Sequence, residues 1–359
     1  MLNIEYDSLK SWIRLILLFS LGITGTVGMW SVVVVMPAIE SDFNIDRGKA
    51  SLLYATTMVG FGLGNFLIGK IIDKYGLKLP IIVATLILVI SYLIGTISTE
   101  FWHLLILQIF MGTAAATFFG PSMADIGNFF EKRRGLAVAI IASANYVAGA
   151  FWPLIISYFL ETMTWKDVYL YIALICIIIM IPISFFLKNN ISQNESDINT
   201  EASNSKLTNL SPSALQTLLI LAGIGCCLAM AMPQVHIVAL CVERGFGLSI
   251  GAEILAVMLF SGMISRVGFG YLSDKIGPVY TLFIGSLLQM ISLVFFLPFD
   301  SQLSLYIVSL MFGLSQGGIV PAYAMIVRKY LPLKEVGERV GLVIMATIVG
   351  MGLGGWMSG

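Results

Sequence analysis

One arginine stands inside an apolar run. In Ser265-Arg266-Val267-Gly268-Phe269-Gly270, Arg266 lies well within the hydrophobic stretch 251–270, and no other Lys or Arg lies as deep in such a stretch. A charge at that depth is costly and normally faces a cavity or a partner. Arginine offers two parallel donors that match a carboxylate, so the chemistry it suggests is recognition of an organic acid. A structural ion pair, or a side chain reaching back to the near surface, accounts for the same residue. Both readings stay open.

The other polar residues in apolar runs are few. His236 lies near the end of the run 214–241, and histidine is the side chain whose ordinary pKa lies near working pH, so it could pass a proton; an ordinary interfacial histidine fits equally. Asp125 is expected to pair with the basic cluster Lys132-Arg133-Arg134, and Glu253 to sit at an interface; either could carry a coupling proton. Gln108, Asn145, Tyr146 and Gln234 are groups that glue helices or line a cavity. Two distant histidines and four cysteines without a partner motif supply no nucleophile–base pair and no metal-ligand spacing. No Gly-x-x-x-x-Gly-Lys-Ser/Thr phosphate loop is present. The expectation is therefore a protein that is not an enzyme and uses no cofactor or metal.

The elements that must position these residues follow from composition. The chain has 359 residues, 58% hydrophobic and 11% charged, against roughly a quarter charged in soluble domains. A soluble core cannot hide this excess, so the bilayer is the solvent. Zero net charge gives no reason to expect a nucleic-acid partner. A span needs about 20 apolar residues. Eleven stretches qualify: 13–37, 49–69, 80–98, 102–127, 135–160, 168–187, 214–241, 251–270, 279–298, 303–328 and 339–359. Between the sixth and seventh lies the polar segment 188–213, which reads as a linker whose Ser211 or Ser213 caps the next helix. Of the 20 Lys and Arg, fifteen fall on the side of the amino terminus and the linker, four on the other, and Arg266 within a span. That asymmetry places the amino terminus and linker in the cytoplasm.

Two short loops repeat. Gly69-Lys-Ile-Ile-Asp73-Lys-Tyr-Gly76 follows the second span, and Gly270-Tyr-Leu-Ser-Asp274-Lys-Ile-Gly277 follows the eighth, 201 residues later. Matching loops in matching places of two hydrophobic halves signal an internal repeat. The division expected is a six-helix bundle over 1–187, the linker 188–213, and a second bundle over 214–359. Six plus six requires one more helix than the eleven counted; either the chain is a fragment, the reading favoured by its stop at Gly354-Gly-Trp-Met-Ser-Gly359 without a polar or basic tail, or the repeat is naturally incomplete. Gly60-Phe-Gly62-Leu-Gly64 and Gly350-Met-Gly352-Leu-Gly354 are expected to pack helices closely.

The duplicated Gly-x-x-x-Asp-Lys-x-Gly loops resemble the signature loop of the major facilitator superfamily. The resemblance covers the whole chain in span count, linker position and charge side. It implies an all-α membrane protein of two pseudo-symmetric six-helix bundles around a cavity that opens alternately to each side. It also implies a gating role for Gly69, Asp73, Gly76, Gly270, Asp274 and Gly277, with Asp73 meeting the start of span eleven near Arg339. Asn128-Phe-Phe-Glu-Lys132-Arg133-Arg134-Gly135-Leu-Ala137 is similar to the stretch between spans four and five of monocarboxylate and oxalate/formate transporters, which adds Arg133 and Arg134 to the gating set. Phe119-Gly-Pro121, Thr164-Trp165-Lys166, Pro233-Gln234-Val-His236 with Glu243-Arg244-Gly245, and Ser265-Arg266 fit the same group. In that group the span-eight Arg binds substrate. The group's span-four Arg is Gln108 here, and Gly262 stands where some members carry Asp, so no coupling residue carries over.

The expectation is a secondary transporter in the cell membrane that moves a small organic anion, a monocarboxylate, by alternating access and works as a single copy. Arg266, His236, Gln108, Asn145 and Tyr146 would contact the substrate. A proton or a counter-anion would be the coupled species. The alternative is a carrier of the same fold for a drug, sugar or other metabolite.

Overall fold

The computed structural model describes residues 6–131, 133–187, 211–298, 301–331 and 336–359, without the side chains of 66, 69, 70, 72–75, 124, 134, 135, 274, 328 and 336–338. Among the described residues every regular element is helical. In chain order these are α1 Leu9–Gly25, α2 Val27–Phe43, α3 Arg47–Ala50, α4 Leu52–Tyr75, α5 Lys78–Thr96, α6 Phe101–Thr117, α7 Gly120–Gly127, α8 Arg134–Leu160 and α9 Trp165–Phe186. There follow α10 Pro212–Glu243, α11 Leu248–Ile276, α12 Pro278–Phe295, α13 Gln302–Gln316, α14 Ile319–Tyr330 and α15 Val336–Met357. Ten expected spans are helical segments long and apolar enough to cross a membrane. The remaining one, 49–69, is occupied by the 24-residue helix α4.

Local chemistry sets the ends. Ser8, Asp46 and Ser301 each accept a backbone N–H with the side chain and so start α1, α3 and α13. Thr164 and Asp167 form a capping box at the start of α9. Ser211 Oγ accepts from Ala214 N at 3.2 Å, so α10 begins at Pro212 and the last two residues of the expected linker are already helix. The rest of that linker, 188–210, lies outside the described residues.

Three of the spans are two helices end to end. The first breaks at Thr26, the fourth at Phe118–Phe119 ahead of Pro121, and the tenth at Gly317–Gly318 ahead of Pro321. A proline shortly after a break explains the last two, because it cannot donate to the preceding turn. Many large apolar side chains point outward, among them Ile178 (69% exposed), Val267 (65%) and Phe283 (65%). In water this would be a liability; against lipid it is the expected outer face.

The described chain packs as two compact units. The first comprises the described residues within 1–192, with 236–256 and 359; the second comprises those within 193–235 and 257–358. Residues 236–256, which a six-plus-six division assigns to the second bundle, thus pack with the first unit. Within each unit the repeat reappears as close packing. A Cβ on Gly112 of α6 would fall on the Thr57 carbonyl oxygen of α4, and one on Gly313 of α13 would fall on the Met258 carbonyl oxygen of α11. Both members of the second pair lie 201 residues beyond those of the first, the offset of the loops. One turn further on, the small residue changes sides. Gly64 of α4 meets Ala116, whereas Ser265 of α11 meets Gly317. The two expected glycine-rich faces do pack: Gly60 and Gly64 lie against Ile109 and Thr113, and Gly350 and Gly354 against Ile224 and Leu228. Without a hydrophobic drive between helices in lipid, such backbone approach supplies the packing energy.

Candidate functional site

In the first unit, the buried polar groups form a chain across five helices. Gln108 on α6 is 1% exposed. Its amide oxygen accepts from Thr57 Oγ1 of α4 at 2.9 Å, and its Nε2 donates to the Tyr169 hydroxyl of α9 at 3.4 Å. Tyr169 meets the Tyr92 ring of α5 edge-on at 4.9 Å, and the Tyr92 hydroxyl pairs with Ser31 Oγ of α2 at 2.7 Å. With no water in the hydrocarbon core, such groups must satisfy one another. Gln108 therefore ties the helices together in this conformation, with both ends of its amide engaged. Asn145 on α8 belongs to another cluster. Its side-chain and backbone oxygens both accept from Trp30 Nε1 of α2, at 3.0 and 3.1 Å. Its neighbour Tyr146 is buried at 7% exposure. His236 is half-buried on the part of α10 that packs in this unit.

Asp125 has a different partner from the expected one. Both its oxygens accept from Arg14 of α1, from Nε at 2.7 Å and Nη2 at 2.8 Å, and the Arg14 guanidinium stacks over Phe129 at 4.4 Å. The break at Phe118–Phe119 starts a new short helix, α7, which carries Asp125 against α1. Arg133 instead lies over the Trp12 ring at 6.0 Å, and its backbone N–H donates to Asp7. Arg14 is a residue that sequence reasoning passed over as one more positive charge at a span end.

In the second unit, polar contacts gather at the break in the tenth span. Arg266 of α11 donates from Nε to the Gly317 carbonyl at 3.3 Å, and Ser265 Oγ donates to the Leu314 carbonyl at 2.6 Å. A Cβ on Gly317 would stand 2.5 Å from Arg266 N. Next to this carbonyl, Gln316 accepts from Gln234 Nε2 of α10 at 2.7 Å, both residues being at most 2% exposed. The structure thus brings Arg266 and the Gln234–Gln316 pair to one helix break. It places the other four expected substrate contacts, Gln108, Asn145, Tyr146 and His236, in the first unit. Gln316 and Ser265 were not anticipated. The signal for Gln316 was a polar residue directly before a Gly-Gly pair inside a span, because broken helices expose backbone groups that need partners.

The duplicated loops share their backbone form. Gly76 has φ +73° and Gly277 φ +87°, values that favour glycine and turn the chain into α5 and α12. Gly69 lies within α4 and Gly270 within α11, where a Cβ on Gly270 would meet open space. The side chains of Asp73, Asp274 and Arg134 lie outside the described residues. The Arg339 carbonyl, at the start of the last span, accepts from Gln216 Nε2 of α10 at 3.1 Å.

Known proteins match the chain along most of its length. The family model described as Major Facilitator Superfamily matches residues 18–357. The chain is 23% identical over 305 residues to the MFS transporter asaE of Aspergillus flavus, covering 81% of this chain and 65% of that protein. It is 21% identical over 299 residues to the Agnestins efflux protein AgnL12 of Paecilomyces divaricatus, covering 81% and 67%. The chain thus spans about two thirds of the length of these relatives. Among solved structures, it is similar to a bacterial homolog of the human lysosomal transporter Spinster in an inward-facing, unoccupied conformation. That match has a TM-score of 0.76 at 13% identity and covers 98% of this chain and 82% of the other. A mutant of the nucleoside transporter NupG matches with a TM-score of 0.73 at 12% identity, covering 95% and 90%. With the repeat, the glycine loops and the family match in agreement, this multi-pass membrane protein belongs to the major facilitator superfamily of transporters.

Proposed function

We propose that this transporter moves a small organic anion, a monocarboxylate, by alternating access, with Arg266 holding the carboxylate. The observation that carries the reading is the place of Arg266: a half-buried guanidinium at the break of the tenth span, beside the Gln234–Gln316 amide pair. A dry anion needs a compensating charge, and a guanidinium supplies it with two-pronged geometry. His236, Gln108, Asn145 and Tyr146 would line the path. Gln108 would do so only after exchanging Thr57 or Tyr169 for the substrate. The loops Gly69–Gly76 and Gly270–Gly277, with Arg133 and Arg134, would gate the end of the molecule that faces the cytoplasm together with the amino terminus and linker. The two halves of the cycle would be the bundles 1–187 and 214–359, acting as a single copy in the cell membrane with a proton or counter-anion as coupled species.

A second reading, export of a metabolite of another class, is favoured by the relative named as an efflux protein. Transport by the intact protein in proteoliposomes, with a panel of labelled carboxylates and neutral solutes, with and without a pH gradient, separates the two. Arg266→Gln is expected to lower carboxylate affinity at least ten-fold, since a charge-assisted contact contributes roughly 1.5–3 kcal/mol. Arg266→Lys is expected to keep part of it. Folded Arg266→Gln protein with parental carboxylate affinity overturns the anion reading and leaves the second.

A further inference from the structure

The short helix α3 carries an arginine shared between two carboxylates. Asp46 caps α3 by accepting from Lys49 N at 2.8 Å, which sets the orientation of its first residue, Arg47. Arg47 Nε donates to Glu40 of α2 at 3.2 Å, and Nη2 donates to Glu243, the last residue of α10, at 2.8 Å. All three belong to the first unit. The side chains differ in exposure: 21% for Arg47, 18% for Glu40 and 57% for Glu243. Beyond Glu243, Gly245 and Gly247 have φ +79° and +90° and turn the chain into α11. A Cβ on Gly251 would stand 2.8 Å from Val238 Cα, so the end of α10 and the start of α11 are packed backbone to backbone.

We propose that Arg47 is a releasable clasp, paired with Glu40 throughout the transport cycle and with Glu243 only while this end of the transporter is closed. The proposal rests on the alternating-access reading above. The asymmetry of burial is what makes release cheap. When the α10–α11 end moves away, Glu243 passes into water that already reaches it, and Glu40 still neutralises the guanidinium. No charge is left buried and unpaired, which would be the expensive outcome. Burial draws the Arg47 pKa down, and the two carboxylates together draw it up by more, so the clasp stays cationic at any working pH. The Glu243-Arg244-Gly245 stretch gains a role by this reading.

The two carboxylates have opposite effects, which makes the clasp testable. Glu243 favours the closed state alone, so Glu243→Gln populates the open state about two- to five-fold more, the range for a partly exposed ion pair. Glu40 matters most when Glu243 is gone, so Glu40→Gln shifts the population toward closed. Arg47→Glu with Glu243→Arg leaves Glu40 beside a second carboxylate when the clasp opens, so it shifts the population toward closed instead of restoring the parental distribution. The readout is the distance between spin labels on Lys49→Cys and Ser249→Cys in the full chain in lipid, with the four native cysteines replaced. The effect of Glu243→Gln fades in 1 M salt, where the screening length is about 3 Å. A parent with two distance populations that Glu243→Gln leaves unmoved, or that Glu40→Gln shifts toward open, overturns the clasp. A parent with one population under either direction of substrate gradient overturns the alternating-access reading beneath it.

Discussion

Replacing Gly112 by alanine tests the packing that both halves share. The added Cβ would fall on the Thr57 carbonyl oxygen and stand 2.9 Å from both Thr57 C and Phe61 N, where ordinary contact begins at 3.4 Å. All three obstacles are backbone atoms of α4, so no side chain can rotate away. The helices must part by at least half an ångström along this line, and by more at the oxygen. Overpacking of a core costs about 1–3 kcal/mol, and an unyielding neighbour places this site at the top of that range. Alanine returns about 1 kcal/mol as the better helix former, which leaves about 2 kcal/mol of net destabilisation. At roughly 2–4 °C per kcal/mol, the purified protein is expected to melt about 4–8 °C lower, followed by intrinsic fluorescence or monodispersity after heating. Gly313→Ala, against Met258, is expected to behave alike. Gly225→Ala and Gly268→Ala are the controls, because their Cβ atoms would find nothing within 4 Å. Gly112→Ala protein that melts with the controls at or above the parental temperature would refute the close approach and the repeat drawn from it.

Three further outcomes are expected. Asp125→Asn removes the carboxylate charge that Nε and Nη2 of the buried Arg14 hold and is expected to cost about 3 kcal/mol, while Arg14→Met with Asp125→Leu recovers much of that; a denaturation series on the single and double variants checks it. Gly270→Ala is expected to raise stability by up to about 1 kcal/mol, because its Cβ meets open space within α11 in this conformation, yet to slow transport if the loop glycine packs in another state; equal rates in proteoliposomes would remove it from the gating set. Gln108→Leu strands the Tyr169 hydroxyl and is expected to cost about 1–3 kcal/mol; substrate affinity that falls more than stability does would mark Gln108 as a contact, and parental affinity would leave it as a strut.

The sequence by itself determined the solvent, the number of spans but for their internal breaks, the repeat and the family. Each of these is local or additive. About 20 apolar residues must cross a bilayer wherever they stand, and a turn that needs positive φ must carry glycine, as at Gly76 and Gly277. The caps at Ser211 and Thr164 were as local, though only the first was anticipated. The tertiary structure alone decided the partners. Asp125 was expected to meet the basic cluster a few residues on and instead met Arg14, 111 residues earlier in the chain. Gln108, read as a group that glues helices or contacts substrate, holds Thr57 and Tyr169 in this conformation, and Gln316 came to light only through Gln234. The physical reason is the composition of the spans. A helix that is apolar on every side carries no periodicity to show which face turns inward. Its rotation about its own axis is set by where backbones can approach, as at Gly112 on Thr57 and Gly317 on Gly262, and only that rotation decides which buried polar group meets which.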